Sequence, residues 1–202
     1  MQTLISVPLF SVPVCISSEV YNMSSVEFNF IKNLKKIKNI KNFITENRYI
    51  LNFPELSNLK KWIQKNIDIY FFEFLKIKDV DEIYITQSWS NITQYKQSHQ
   101  YHKHANSVIS GVMHFDDDDA KLNFFSNKNI FPLDFNYKER TMYNSERWSW
   151  PTKKYSLFLF PSTLNHSVDT QEINRDRISL SFNTWVRGTV GNESSSTLLQ
   201  IK

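Results

Sequence analysis

The spacing of hydrophobic residues divides the chain near residue 82, where the period changes from helical to strand-like. Residues 24–47 carry apolar side chains at helical spacing, and so does a stretch that begins near Pro54, a residue favoured at the first helical position. We therefore predict two helices, with the lysine-rich run at residues 35–41 on the solvated face of the first. Their apolar positions are Val26, Phe28, Ile31, Leu34, Ile37 and Ile40 in the first helix, and Leu59, Ile63, Ile67, Tyr70 and Phe74 in the second.

From residue 82 onward, apolar and polar residues alternate, which is the pattern of half-buried β-strands. Turn-forming residues separate the segments, including the acidic run at residues 116–119. Regularly spaced short strands favour a sandwich or barrel over a parallel sheet with crossover helices. We predict eight strands: a short segment leading into His102, and residues 82–93, 107–115, 121–125, 140–150, 155–160, 165–168 and 177–185.

Two further segments flank these elements. Residues 4–15 are apolar and β-branched, but Pro8 and Pro13 limit them to an edge position or a broken strand. The tail at residues 188–202 is rich in serine and threonine, and we expect it to be loosely ordered. The predicted organisation is one domain, with packing helices in residues 1–81 and a β core in residues 82–187.

The predicted strand at residues 177–185 has two chemically different faces. One explanation is a surface strand whose polar face meets water. The other is a strand whose apolar face packs on the helices while its polar face lines a cavity. The polar face carries Arg177, Ser179, Ser181 and Asn183, and the apolar face carries Ile178, Leu180, Phe182 and Thr184.

Composition excludes several classes of function. The 202 residues are 41% hydrophobic, enough for one packed core, while only 3 glycines exclude the glycine-rich phosphate loops. A net charge of +4 is too small to indicate nucleic-acid binding. The single cysteine, Cys15, excludes an internal disulfide framework and a thiolate-cluster zinc site. No apolar run approaches 18 residues and the N-terminus lacks a basic signal region, so we expect a cytoplasmic protein.

Histidines carry the candidate chemistry. His102 and His104 form an H-x-H pair, and residues i and i+2 of an extended segment point to the same side, where two imidazoles can chelate one metal ion. A third histidine from another strand would complete a facial set. We expect His114, within a strand, and His99, in a polar loop, to be ordinary structural residues.

An ordered series of motifs around these histidines resembles the Fe(II)/2-oxoglutarate-dependent oxygenases, most closely a branch common in phages and marine bacteria. The resemblance implies a double-stranded β-helix, or jelly roll, with N-terminal helices, and it implies Fe(II), 2-oxoglutarate as co-substrate, and O2. A virus-encoded protein in a host cytoplasm would fit that branch. The motifs are L-F-S-V-P-V at 9–14, W-S-N at 89–91, H-K-H at 102–104, S-G-V at 110–112, F-P-S-T-L-N-H-S-V at 160–168 and R-I-S-L-S-F-N at 177–183.

The same resemblance assigns roles to individual residues. His102 and His166 correspond to the proximal and distal iron ligands. Arg177 corresponds to the arginine that binds the distal carboxylate of 2-oxoglutarate through paired charge-assisted hydrogen bonds. Ser179, on the same face, is a candidate second donor, and Asn91 is a candidate contact to the inner carboxylate.

His104 marks a departure, because the wider superfamily has H-x-D or H-x-E where this chain has His102-Lys103-His104. We favour His104 as the third ligand of a three-histidine centre. Two alternatives remain for the third ligand position. It is filled by a carboxylate from elsewhere, for which residues 116–119 are the obvious source, or it is vacant.

The resemblance predicts hydroxylation of a second substrate that the sequence does not identify. The first candidate for this substrate is a protein side chain such as proline, and the next is a small metabolite or a nucleobase. The alternative function is a non-catalytic metal-binding jelly-roll module, such as a phage accessory or structural protein. A homodimer is compatible with either function.

Overall fold

The computed structural model describes residues 4–5, 7–117, 120–126, 132–133 and 135–202. Two α-helices, α1 and α2, lie in the N-terminal part and most strands follow them. In chain order the elements are β1 (Cys15–Ile16), α1 (Ser25–Asn33), β2 (Lys36–Lys38), β3 (Phe43–Thr45), α2 (Ser57–Asp68), β4 (Val80–Thr93), β5 (His99–His102), β6 (Ile109–His114), β7 (Lys121–Phe125), β8 (Arg147–Pro151), β9 (Leu157–Pro161), β10 (His166–Val168), β11 (Arg177–Val190) and β12 (Leu199–Ile201).

Within these described ranges, the strands form two antiparallel sheets. The large sheet has the order β1-β9-β6-β11-β4-β3-β2, with β12 added beside β11, and the small sheet has the order β5-β10-β7-β8. Between β4 and β11 the chain crosses repeatedly from one sheet to the other, and of the described strands only the consecutive pair β7 and β8 stays within one sheet, as in a jelly roll. The predicted double-stranded β-helix is therefore confirmed.

The helices pack on the outer face of the large sheet. Leu59 and Ile63 of α2 are fully buried, and they belong to the same hydrophobic cluster as Leu180 and Phe182 of β11. Because side chains alternate along a strand, the polar residues of β11 point the other way, into the space between the sheets. The polar face of this strand lines the interior of the jelly roll.

The first helix is shorter than the predicted span of residues 24–47, so that prediction is wrong in its second half. A capping box between Ser24 and Glu27 starts α1, and the extended backbone of Leu34 ends it. The lysine-rich run then forms β2 and the turn that leads into β3, and this hairpin extends the large sheet beside β4. Lys36-Ile37-Lys38 fits the alternation of a strand as well as the spacing of a helix, and pairing with the sheet decides between them.

The second helix also departs from its prediction at its end. A 3₁₀ turn at Pro54–Leu56 leads into α2, and a π-helical turn at Ile69–Phe74 follows it. The wider turn breaks the regular spacing of the apolar stripe, so Phe74 is 58% exposed while Tyr70 stays buried.

Other boundaries differ from their predictions in detail. The strand predicted over residues 140–150 is confined to Arg147–Pro151. The N-terminal apolar segment pairs with a neighbour at its end, where Cys15 and the following Ile16 form β1 beside β9. The tail folds back as β12, which pairs with the end of β11. None of the helices in the described ranges combines the length and apolar character needed to cross a membrane.

Candidate metal centre

The register of the small sheet brings two of the predicted ligands together. His102 at the end of β5 is the direct cross-strand partner of His166 at the start of β10, and their ring centroids lie 4.3 Å apart. Residues that pair across a ladder point to the same face, so both imidazoles enter the space between the sheets.

His104 reaches the same point from just beyond the end of β5. Its backbone N–H donates to the carbonyl of Ser162 at 2.9 Å, which ties this segment to the turn before β10. The His104 ring stacks parallel to that of His166, and their Nε2 atoms are 3.3 Å apart. The indole of Trp89 closes the other side of the His104 ring.

The three imidazoles form a donor set suited to one metal ion. One ligand nitrogen from each of His102, His104 and His166 lies within 4.8 Å of the other two. At metal–nitrogen distances of about 2.1 Å, neighbouring ligands of an octahedral ion are about 3.0 Å apart. The separation between His104 and His166 is close to that value, and the other two ligand separations are at most 4.8 Å.

Backbone carbonyls orient two of the rings. The Nδ1 of His102 lies 2.8 Å from the Gln100 carbonyl oxygen, and the Nδ1 of His166 lies 2.9 Å from that of Leu164. A carbonyl accepts only from a protonated nitrogen, so these bonds put the proton on Nδ1 and leave the Nε2 lone pair free to bind a metal.

Burial keeps the imidazoles neutral. It lowers the pKa of His104 and of His166 to about 3, and the neighbouring histidines add to the effect. The pKa of His102 is lowered as well, again mainly by burial. Neutral imidazole is the form that binds metal, so the ligand set is available at pH 7 without deprotonation.

No carboxylate joins the cluster among the residues that the structure describes. Asp116 accepts from the backbone N–H of Ile178, and Asp117 accepts from that of Lys154. Both carboxylates therefore accept from backbone groups of remote segments and not from the histidine cluster. The rest of the acidic run, Asp118 and Asp119, lies outside the described residues.

The predicted co-substrate residues lie on the inward face of the large sheet. Asn91 of β4, Ser179 of β11 and His114 of β6 form one row across three neighbouring strands. Arg177 is two residues from Ser179 on the same face, 3% exposed, and its Nη2 donates to the carbonyl of Asp169 at 3.0 Å. The Nδ2 of Asn91 donates to the hydroxyl of Ser181 at 3.0 Å.

Two histidines that the sequence suggested were ordinary also face this interior. His99 lies on β5 rather than in a loop, and its ring stacks on His102 with centroids 4.6 Å apart. His102 pairs with His166 whereas His99 pairs with Val168, so β5 contains an extra residue relative to β10. This bulge puts residues i and i+3 on one face, which a strict period of two does not predict.

Residues 87–183 match the model of a protein family described as "Putative 2OG-Fe(II) oxygenase". This segment contains the three clustered histidines together with Asn91, Arg177 and Ser179. The family-model match and the jelly-roll fold of this segment thus both point to the 2OG-Fe(II) oxygenases. A comparison with curated protein sequences finds no match.

Several solved structures share the fold. A Pseudomonas putida prolyl-4-hydroxylase is 11% identical with a TM-score of 0.58, over 88% of this chain and 95% of its own. The non-heme alpha ketoglutarate dependent epimerase SnoN from nogalamycin biosynthesis is 8% identical with a TM-score of 0.60, and the match covers 86% of this chain and 76% of SnoN. HygX from Streptomyces hygroscopicus, with nickel, 2-oxoglutarate and hygromycin B bound, is 11% identical with a TM-score of 0.54. This match covers 86% of this chain and 82% of HygX.

Proposed function

We propose that the protein is an Fe(II)- and 2-oxoglutarate-dependent dioxygenase that hydroxylates a second substrate. The observation that carries this function is the cluster of His102, His104 and His166 inside a jelly roll whose core matches an oxygenase family. Imidazole ligands on one side of an ion leave positions open for a keto acid and for dioxygen, as non-haem Fe(II) oxygenases require.

Each group at the site has a definite task. His102, His104 and His166 hold Fe(II), which supplies the redox and dioxygen chemistry when it is bound. Arg177 and Ser179 bind the distal carboxylate of 2-oxoglutarate, and Asn91 contacts its inner carboxylate. In the balanced reaction, 2-oxoglutarate and O2 give succinate and CO2, and the remaining oxygen atom becomes the hydroxyl group of the second substrate.

The wall behind the cluster is apolar and limits the access of water. The ring of Phe160 packs on His166 with centroids 4.7 Å apart, and Phe124 lies beyond it. Aromatic side chains here keep water away from the side of the site where the ligands attach. The protein thus holds the metal, orients the co-substrate and shields the reacting atoms.

The class of second substrate to test first is a peptidyl proline, in line with the prolyl-4-hydroxylase among the solved structures of this fold. Small molecules form the second set, since the HygX structure contains hygromycin B. Succinate release that depends on the added substrate would identify the correct class.

Anaerobic addition of Fe(II) and 2-oxoglutarate to the purified protein tests the proposal directly. The expected result is a weak visible charge-transfer band, followed by succinate formation when air is admitted. The matched control, His166→Ala, should give neither signal. Metal binding by the wild type without the band and without succinate would contradict the proposal and would favour a non-catalytic metal-binding module.

A further inference from the structure

His114 is buried deep between the sheets with unused hydrogen-bonding capacity. Its side chain is 2% exposed, and neither ring nitrogen has a hydrogen-bond partner. A neutral imidazole carries one N–H donor and one acceptor nitrogen, and burying both without partners costs free energy. Such a residue indicates a binding site for a polar group, because buried polar groups in folded proteins are nearly always paired.

The surroundings of His114 indicate where that ligand lies. Ser179 is its direct cross-strand partner, and the charge of Arg177 is close enough to act on its ring. The Phe158 ring closes one side of the imidazole in an edge-on contact, with centroids 6.4 Å apart. The open side of His114 therefore faces the residues to which the distal carboxylate of 2-oxoglutarate is assigned.

A second buried atom in the same row also lacks a partner. Asn91 is 2% exposed, and its Oδ1 accepts no hydrogen bond although its Nδ2 donates to Ser181. Asn91 and His114 flank Ser179 on its two neighbouring strands. Unused polar groups at both ends of one row are what a pocket shaped around a polar ligand presents before that ligand binds.

We propose that His114 is a further binding residue for the co-substrate, donating a ring N–H to the distal carboxylate that Arg177 also binds. This inference rests on the proposed function and adds to it a third side chain at the distal carboxylate, beside Arg177 and Ser179. No role in holding the metal is assigned to His114.

The electrostatic environment of His114 suits a neutral donor. Burial and the nearby Arg177 charge lower its pKa to about 3, with a smaller contribution from His99. The imidazole is therefore uncharged at pH 7 and does not repel the guanidinium. A carboxylate between them accepts from both groups, and the two donors together distinguish it from a methyl group of similar size.

The test compares two keto acids in three variants. 2-Oxopentanoate has the keto acid end of 2-oxoglutarate but no distal carboxylate, so it reports any damage to the metal end of the site. The variants are His114→Leu, which removes the donor, His114→Gln, which keeps an N–H donor, and the control Met113→Leu. Met113 is the next residue on β6 and packs in the core on the opposite face.

Affinities are measured without turnover, from the anaerobic charge-transfer band of the Fe(II) protein as each keto acid is titrated. In His114→Leu, affinity for 2-oxoglutarate should fall by at least about tenfold, because a hydrogen bond to a charged group is lost. Affinity for 2-oxopentanoate should change by less than about twofold. His114→Gln should recover part of the loss, and Met113→Leu should match the wild type.

Thermal unfolding of the metal-free protein gives an independent readout that a purely structural role would not produce. Replacing a partnerless buried imidazole by an apolar side chain should raise the Tm by a few degrees while co-substrate affinity falls. A lowered Tm with equal losses for both keto acids would assign His114 to the core and overturn the inference. Unchanged affinity for 2-oxoglutarate would overturn it too, but would leave the proposed function intact. A wild-type protein that binds neither keto acid would overturn both.

Discussion

His102 and His166 are direct cross-strand partners in the small sheet, with ring centroids 4.3 Å apart, although most of the jelly-roll core separates them in sequence. The pairing of β5 with β10 thus fixes where the two rings lie relative to each other. A backbone carbonyl next to each Nδ1 keeps the proton on that nitrogen. Because strand pairing and not side-chain flexibility positions these rings, the donor set exists before any metal binds. The predictions below test what each group contributes.

His104 tests the three-histidine centre. His104→Ala should weaken Fe(II) binding by at least about tenfold, because one of three protein ligands is removed. His104→Asp should retain the metal, since a carboxylate at this position restores the common ligand set of the superfamily. Anaerobic competition with a chromogenic chelator measures both affinities. Full affinity in His104→Ala would mean that the third ligand is absent or comes from elsewhere.

Arg177 tests the co-substrate anchor. Arg177→Ala should weaken 2-oxoglutarate binding by about ten- to a hundredfold, because hydrogen bonds to a charged group contribute about 1.5–3 kcal/mol. Iron affinity measured without the keto acid should be unchanged, because Arg177 is not in the donor set. Arg177→Lys keeps the charge but loses the paired hydrogen bonds. Its affinity for 2-oxoglutarate should therefore lie between that of the wild type and that of Arg177→Ala. Keto acid affinity within twofold of wild type in Arg177→Ala would exclude the anchor role.

Acid should destabilise the metal-free protein through its buried histidines. The pKa of His114 falls from an ordinary value of 6.5 to about 3 on folding, so between these values the unfolded chain binds more protons than the folded one. The free energy of unfolding therefore decreases as the pH drops from about 6.5 toward 3. From pH 7 to pH 5 one such histidine contributes a loss of about 2 kcal/mol.

Urea denaturation of the wild type and of His114→Leu at several pH values isolates this contribution. The variant should lose about 2 kcal/mol less between pH 7 and pH 5. Parallel stability curves for the two proteins would show that His114 titrates normally in the folded state.

Gly111 should be intolerant of any side chain because of the close packing between β6 and β11. A Cβ at this position would lie 2.3 Å from the ring of Phe182, which is itself fully buried and cannot move aside. Gly111→Ala should therefore lower the free energy of unfolding by about 1–3 kcal/mol or more, as overpacking in a core does. Chemical denaturation measures this free energy. The double variant Gly111→Ala with Phe182→Leu should recover part of the lost stability. An unchanged midpoint in Gly111→Ala would contradict the packing.

Local patterns in the sequence were sufficient for much of the β core. Alternation located Lys121–Phe125 with its observed boundaries and separated the two faces of β11, because the period of a strand is a property of neighbouring residues. The motif order carried the resemblance to the oxygenases, whose family model matches residues 87–183, and it singled out His102, His104 and His166 as the candidate ligands that the fold brings together.

Tertiary structure decided the features that depend on pairing between remote segments. The lysine-rich run became a strand, β2, because it pairs with β3, which in turn pairs with the edge of β4, and no local pattern reveals these hydrogen-bond partners. His99 turned inward because a bulge in β5 shifts its register against β10. The isolation of His114 arises only when two sheets close around it, since burial and the absence of a partner are properties of the whole fold. Sequence thus determined which residue types are present and at what spacing, and packing determined which of them face one another across the interior.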